Sequence, residues 1–169
     1  MITTRDELRA AQAPLKQQYR DDPASALTPI SAAARYTESG ITATVETWSA
    51  PVRAGLHRAV GGDGSDACSA DMLMEAVVAC ASVTLRSVAT AMGLTIRSGE
   101  IRGEGVFDAR GTLGVDRTVE VGVQDVRLVA TFDTDATDAE LEKLASVADR
   151  YCVVAQSLRR PPHIEVRRA

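Results

Sequence analysis

The chain predicts a mixed fold of helices and antiparallel strand pairs. Three features carry that expectation: a long apolar helix from Ser69 to Gly93, a hairpin signal around "TESG" (residues 37–40), and a final helix opened by a capping box at Thr137 and Glu140. At 169 residues the chain suits one compact domain, with residues 1–24 an N-terminal helix and linker. Apolar residues make up 45% and charged residues 25%, which is an ordinary globular balance.

The first helix is expected from about Thr4 to Arg20, because Thr4 and Glu7 are spaced as a capping box; Pro14 should kink it or split it. A hairpin follows, one strand ending near Arg35 and the next beginning near Ile41. "PVRAGLHRAVGGDGSD" (51–66) holds four glycines and a proline and is expected to be loop. Its "GGDG" lacks the Lys-Ser/Thr that completes a phosphate cradle.

Ser69 is expected to cap the long helix and Gly93 to end it, giving a rod of roughly 35 Å. At 100° per residue Asp71, Glu75, Ser82, Arg86 and Thr90 form a polar stripe, which turns Cys80 toward the core. The helix is apolar enough to raise the question of a membrane span, but its charges favour a buried helix. Two long strands come next, about Leu94–Phe107 and Thr118–Phe132. In the second, Val119, Val121 and Val123 alternate with one parity and Val126, Leu128, Ala130 and Phe132 with the other, so a bulge is expected near Gln124–Asp125. The stripe Leu141, Leu144, Ala145, Ala148 runs on to Cys152, Ala155 and Leu158, turning Cys152 inward. Pro161 and Pro162 stop that helix and leave "HIEVR" as a last strand.

A net charge of −4 argues against a nucleic-acid partner, which needs a clustered cationic surface. The N-terminal residues lack the unbroken apolar run of a secretory peptide, and neither a membrane nor a disulfide framework is expected. These readings favour a cytoplasmic protein with reduced thiols. Of the three cysteines, Cys68 precedes the long helix and reads as a spare. Cys80 and Cys152 are either small buried hydrophobes or a pair meeting between two helices. With no closely spaced cysteine pair and only His57 and His163 as imidazoles, neither a metal site nor a cysteine-hydrolase triad gains support.

From about Arg35 onward the chain resembles the osmotically inducible protein C and organic hydroperoxide resistance family (OsmC/Ohr). The resemblance lies in "GGDGSDACSADML" leading into "VACASVTL", then "RGEGVFDARGTLG" and "DRYCVVAQSL", with the two helix-borne cysteines as its most specific part. It implies an α+β OsmC-like fold, antiparallel sheets wrapped around long central helices in an intertwined homodimer. It further implies a thiol peroxidase without a cofactor, acting on organic hydroperoxides or hydrogen peroxide and recycled by an external thiol or dithiol. Carried over, Cys80 attacks the peroxide and Cys152 resolves it. An arginine from the early hairpin, oriented by a glutamate near the start of the cysteine helix, ionises the nucleophile. Ser31 and Ala70 stand where those two would align, so Arg35 becomes the expected cation, with Arg53 in the loop as the other arginine that could reach the site and Asp71 as the nearest carboxylate. Val153 replaces the proline usual after the second cysteine. The alternative is a non-catalytic module that binds an apolar ligand or senses redox state.

Overall fold

The computed structural model describes all 169 residues, and their backbone contacts gather into two compact units. The first comprises Met1–Ile30, Val78–Arg102 and Arg127–Ala169; the second comprises Ser31–Val77 and Gly103–Val126.

The first unit opens with α1 (Arg5–Asp21), capped by Thr4 in the expected box, with Glu7 returning the bond to the Thr4 backbone. Pro14 lies inside this helix without splitting it. None of its residues is buried. The unit's core forms between a long helix and a sheet. The small β1 (Ala33–Arg35), β2 (Thr42–Glu46), β3 (Val52–Gly55) and β4 (Ala67–Cys68) belong to the second unit, and α2 (Ser69–Met92) follows them directly. Within the first unit α2 buries Ala81, Leu85, Val88 and Ala89, spaced at one residue per turn or adjacent to it. By length and a mean hydropathy of 1.5, α2 is long and apolar enough to cross a membrane. It ends where expected, Gly93 taking the left-handed conformation at φ 78°.

Strands β5 (Ile96–Val106), β6 (Gln124–Thr134) and β7 (Ile164–Arg168) form a three-stranded sheet in that order. A Cβ on Gly99 would meet Thr131 and Phe132, whereas one on Gly105 would meet Gln124 and Val126, so β5 and β6 run antiparallel. The β6–β7 pair is parallel, Leu128 facing Ile164 and Phe132 facing Arg168. Parallel neighbours need a crossover. Here α4 (Asp138–Tyr151) and α5 (Val153–Gln156) supply it. Along β6 the residues Leu128, Ala130, Phe132 and Thr134 are buried in strict alternation, and Leu141, Leu144 and Ala148 of α4 are buried as well. Thr134 keeps its buried hydroxyl satisfied, donating to the Thr95 carbonyl at 2.6 Å and accepting from the Ala136 N–H at 3.2 Å. Asp149 ties the start of β7 to α4, accepting from the Ile164 N–H at 2.7 Å and pairing with His163 at 3.0 Å.

The second unit is a four-stranded sheet, β1-β2-β3-β4, antiparallel except for the short β3–β4 pair. The expected hairpin is there, Arg35 opposite Thr44. The expected 51–66 loop is corrected: Val52–Gly55 is a strand, and a 3-10 turn covers Arg58–Val60. A Cβ on Gly62 would lie 1.8 Å from the Leu56 carbonyl oxygen, which explains a glycine in a close backbone approach rather than a wholly open loop. The segment before β6 is corrected as well. α3 (Ala109–Thr112) follows β5, and Asp116 then accepts from the N–H and hydroxyl of Thr118, a side-chain turn that diverts the chain before a strand can begin. Strand character starts only at Gln124. Asp125, where the parity of the apolar residues switches, is the one non-glycine residue with positive φ, 51°. His57 accepts from the Ala59 N–H at 3.0 Å and meets the Phe107 ring edge-on at 5.3 Å.

Candidate functional site

Cys80 and Cys152 come together inside the first unit as free thiols in hydrogen-bonding contact. Cys80 stands midway along α2 and is half-buried, at the margin of the buried stripe rather than within it, a correction to its expected core-facing position. The reason is a rotation of the helix: Val77, Ala81 and Leu85 are fully buried, which leaves position 80 on the flank. Cys152 is fully buried, as its inward stripe predicted. It does not lie in a continuous helix, however. Its backbone, at φ −77° and ψ 96°, breaks the α4–α5 run: its N–H closes the last bond of α4 on Ala148 and its carbonyl accepts the first bond of α5 from Gln156.

That break supplies the electrostatics. A restarted helix has first-turn N–H groups with no acceptor of their own, and those of Val153 and Val154 favour the ionised form of Cys80. Burial pushes the Cys80 thiol up. The N–H of Val154, the S–H of Cys152, the Thr84 hydroxyl and the N–H of Val153 outweigh it, and the thiol ionises below the ordinary range. Cys152 moves the opposite way: burial raises it, and the neighbouring Cys80 sulfur raises it further, against a lowering bond from the Ala155 N–H. The pair is therefore asymmetric, one thiol eased toward ionisation and the other held back from it.

Three contributors were not foreseen as site residues. Thr84 lies four residues after Cys80 on the same helix face, so its place was legible from spacing alone. The N–H groups of Val153 and Val154 left no mark in the side chains, since their availability depends on the chain break at Cys152.

The remaining candidates lie in the second unit. Arg35 is on β1 and pairs with Glu46 at 3.3 Å, its side chain 71% exposed. Arg53 on β3 holds Glu38 at 3.0 Å and Asp66 at 2.8 Å, joining a strand arginine to a carboxylate just ahead of the cysteine helix. Ser31 is exposed, and Asp71 is exposed in the first turn of α2. Cys68 is half-buried on β4, in register with Gly55.

Comparison with known proteins places the chain and its fold. The family model described as OsmC-like protein matches residues 62–167. Among solved structures, an OsmC-like protein from Mycoplasma pneumoniae is similar at a TM-score of 0.65 and 14% identity, over 84% of this chain and 96% of that one. An organic hydroperoxide resistance protein OsmC from Legionella pneumophila is similar at 0.60 and 17%, over 85% and 99%. An organic hydroperoxide resistance protein from Elizabethkingia anophelis is similar at 0.65 and 15%, over 85% and 96%. At these identities the structural likeness speaks for the fold. No curated protein matches the chain. With the family model spanning well over half of its residues, including both members of the thiol pair, the chain belongs to the OsmC-like protein family.

Proposed function

We propose that the protein is a thiol-dependent peroxidase that reduces organic hydroperoxides, or hydrogen peroxide, with Cys80 as nucleophile and Cys152 as resolving thiol. The observation that carries this reading is the asymmetric pair: a half-exposed sulfur favoured as thiolate, in hydrogen-bonding contact with a buried sulfur favoured as thiol. The Cys80 thiolate attacks the terminal oxygen of ROOH, the O–O bond breaks, and the alkoxide leaves to take up a proton as ROH. Cys80 is then a sulfenic acid. The Cys152 sulfur attacks it, the S–S bond forms, and the sulfenic oxygen departs as water with the Cys152 proton. An external thiol or dithiol returns two electrons and restores both thiols. Burial of the second sulfur suits that order, because it meets no oxidant until its partner has reacted.

Arg35 stays in the proposal as the activating cation that the resemblance implies; in the structure it pairs with Glu46 in the second unit. In that role Arg35→Met should lower peroxide turnover by about tenfold and slow alkylation of Cys80 at neutral pH. The decisive test is steady-state peroxide consumption with a dithiol reductant, joined to mass analysis of the peroxide-treated protein. Cys80→Ser should abolish turnover. Cys152→Ser should give one attack, a trapped sulfenic acid and no disulfide. Persistent turnover in Cys80→Ser, or none in the unaltered protein with any hydroperoxide tried, removes the reading and favours a binding or redox-sensing module. The partners proposed are the hydroperoxide, the reductant and a second copy of the chain.

A further inference from the structure

Between α4 and α5 one backbone acceptor changes its partner. In a continuous helix the Asp149 carbonyl would accept from the N–H of Val153, four positions on. The chain breaks at Cys152, which leaves that acceptor over at the end of α4. A side chain takes it instead: Gln156, the last residue of α5, reaches back and donates its Nε2 to the Asp149 carbonyl at 2.9 Å.

Gln156 holds the other side of the break as well. Its own N–H donates to the Cys152 carbonyl at 2.9 Å, so one residue is tied both to the end of α4 and to the backbone of Cys152. Asp149 is itself anchored, its carboxylate accepting from the Ile164 N–H at 2.7 Å and pairing with His163 at 3.0 Å. The brace therefore runs from the start of β7, through Asp149, to α5.

Val153 gives that brace its purpose. Unlike proline, valine carries an N–H, and nothing in its side chain forbids that N–H from rejoining the α4 ladder. With a carboxamide on the Asp149 carbonyl the acceptor is occupied, and the Val153 N–H remains available to Cys80.

We infer that Gln156 is a positioning residue for the thiol pair: by occupying the Asp149 carbonyl in place of the Val153 N–H, it holds open the α4–α5 break that sets Cys152 against Cys80. For its part in a reaction the inference rests on the two-cysteine reading above. It concerns an exposed side chain that touches neither substrate nor the reacting sulfurs, and it acts through the backbone alone.

The test follows alkylation of Cys80 by iodoacetamide against pH, with the label located by mass analysis. Gln156→Met keeps the length and the apolar stem but has no donor. Its rate at pH 7 should fall about threefold, the worth of one modest hydrogen bond, and its profile should move to higher pH with the alkaline plateau unchanged. On a Val153→Pro background the same substitution should change nothing further, because proline has no N–H to return to Asp149 and favours an extended Cys152 by itself. A profile that coincides with that of the unaltered protein overturns the assignment. So does a plateau that falls without displacement, or a Gln156→Met effect that persists beside Val153→Pro. Peroxide takes no part in these measurements: were no hydroperoxide reduced, the peroxidase reading would fail while the alkylation profiles still decided the brace.

Discussion

At the scale of single residues, the chemistry of the site depends on how many donors reach one sulfur. A half-buried thiol would ordinarily resist ionisation, because desolvation disfavours the charged form. Cys80 escapes that tendency through donors from Val154, Cys152, Thr84 and Val153. Thr84 is the contributor most open to test. Thr84→Val keeps the shape and the β-branch but removes the hydroxyl, so the thiolate loses a donor and its ionisation moves to higher pH. At neutral pH the thiolate fraction falls with it, and alkylation by iodoacetamide slows. Thr84→Ser keeps the donor and should restore most of the rate. An alkylation profile identical in Thr84→Val and the unaltered protein would show that the hydroxyl does not serve the thiolate. Cys152, raised by its burial and by Cys80, should alkylate only well above the pH at which Cys80 does.

At the scale of elements, the break between α4 and α5 matters more than either helix. A continuous helix through residue 152 would consume the N–H groups of Val153 and Val154 in its own ladder, with none left for Cys80. Cys152 instead adopts an extended ψ of 96°, and the helix restarts. That conformation is also the one required of a residue before proline, and a first helical position tolerates proline well. Val153→Pro should therefore fold with stability changed by no more than about 1 kcal/mol. It removes one N–H donor to Cys80, so the alkylation profile should move to higher pH, by less than in Thr84→Val because the Val153 bond is the weaker contributor. Unchanged alkylation, measured beside a urea melt that proves the fold intact, would discount the Val153 donor. The β6 strand makes a related point: the parity switch legible at Gln124–Asp125 marks where Asp125 turns to positive φ and regular alternation begins.

For the molecule as a whole, the exposed apolar side chains call for a partner. Tyr36, Ile41 and Trp48, around the turns of the small sheet, are 90%, 76% and 99% exposed. The proposed second copy should bury them. Sedimentation should give twice the 17.9 kDa chain mass, and Trp48, the sole tryptophan, should emit from a shielded environment. Trp48→Glu should shift the distribution toward single chains. A monomer at micromolar concentration with solvent-exposed tryptophan emission would refute the dimer.

What the residues determined unaided were the local decisions: both capping boxes, the hairpin, the glycine that ends α2, the strand parity of β6 and the burial of Cys152. Each is set by neighbours within a few positions, where side-chain type and spacing leave little choice. The resemblance named the two sulfurs as a pair, but their meeting, the rotation that leaves Cys80 on the flank of α2 and the restart of the helix after Cys152 appear only in three dimensions. These depend on groups far apart in the chain, and above all on backbone donors, which every residue but proline carries and which therefore leave no trace in the order of the side chains.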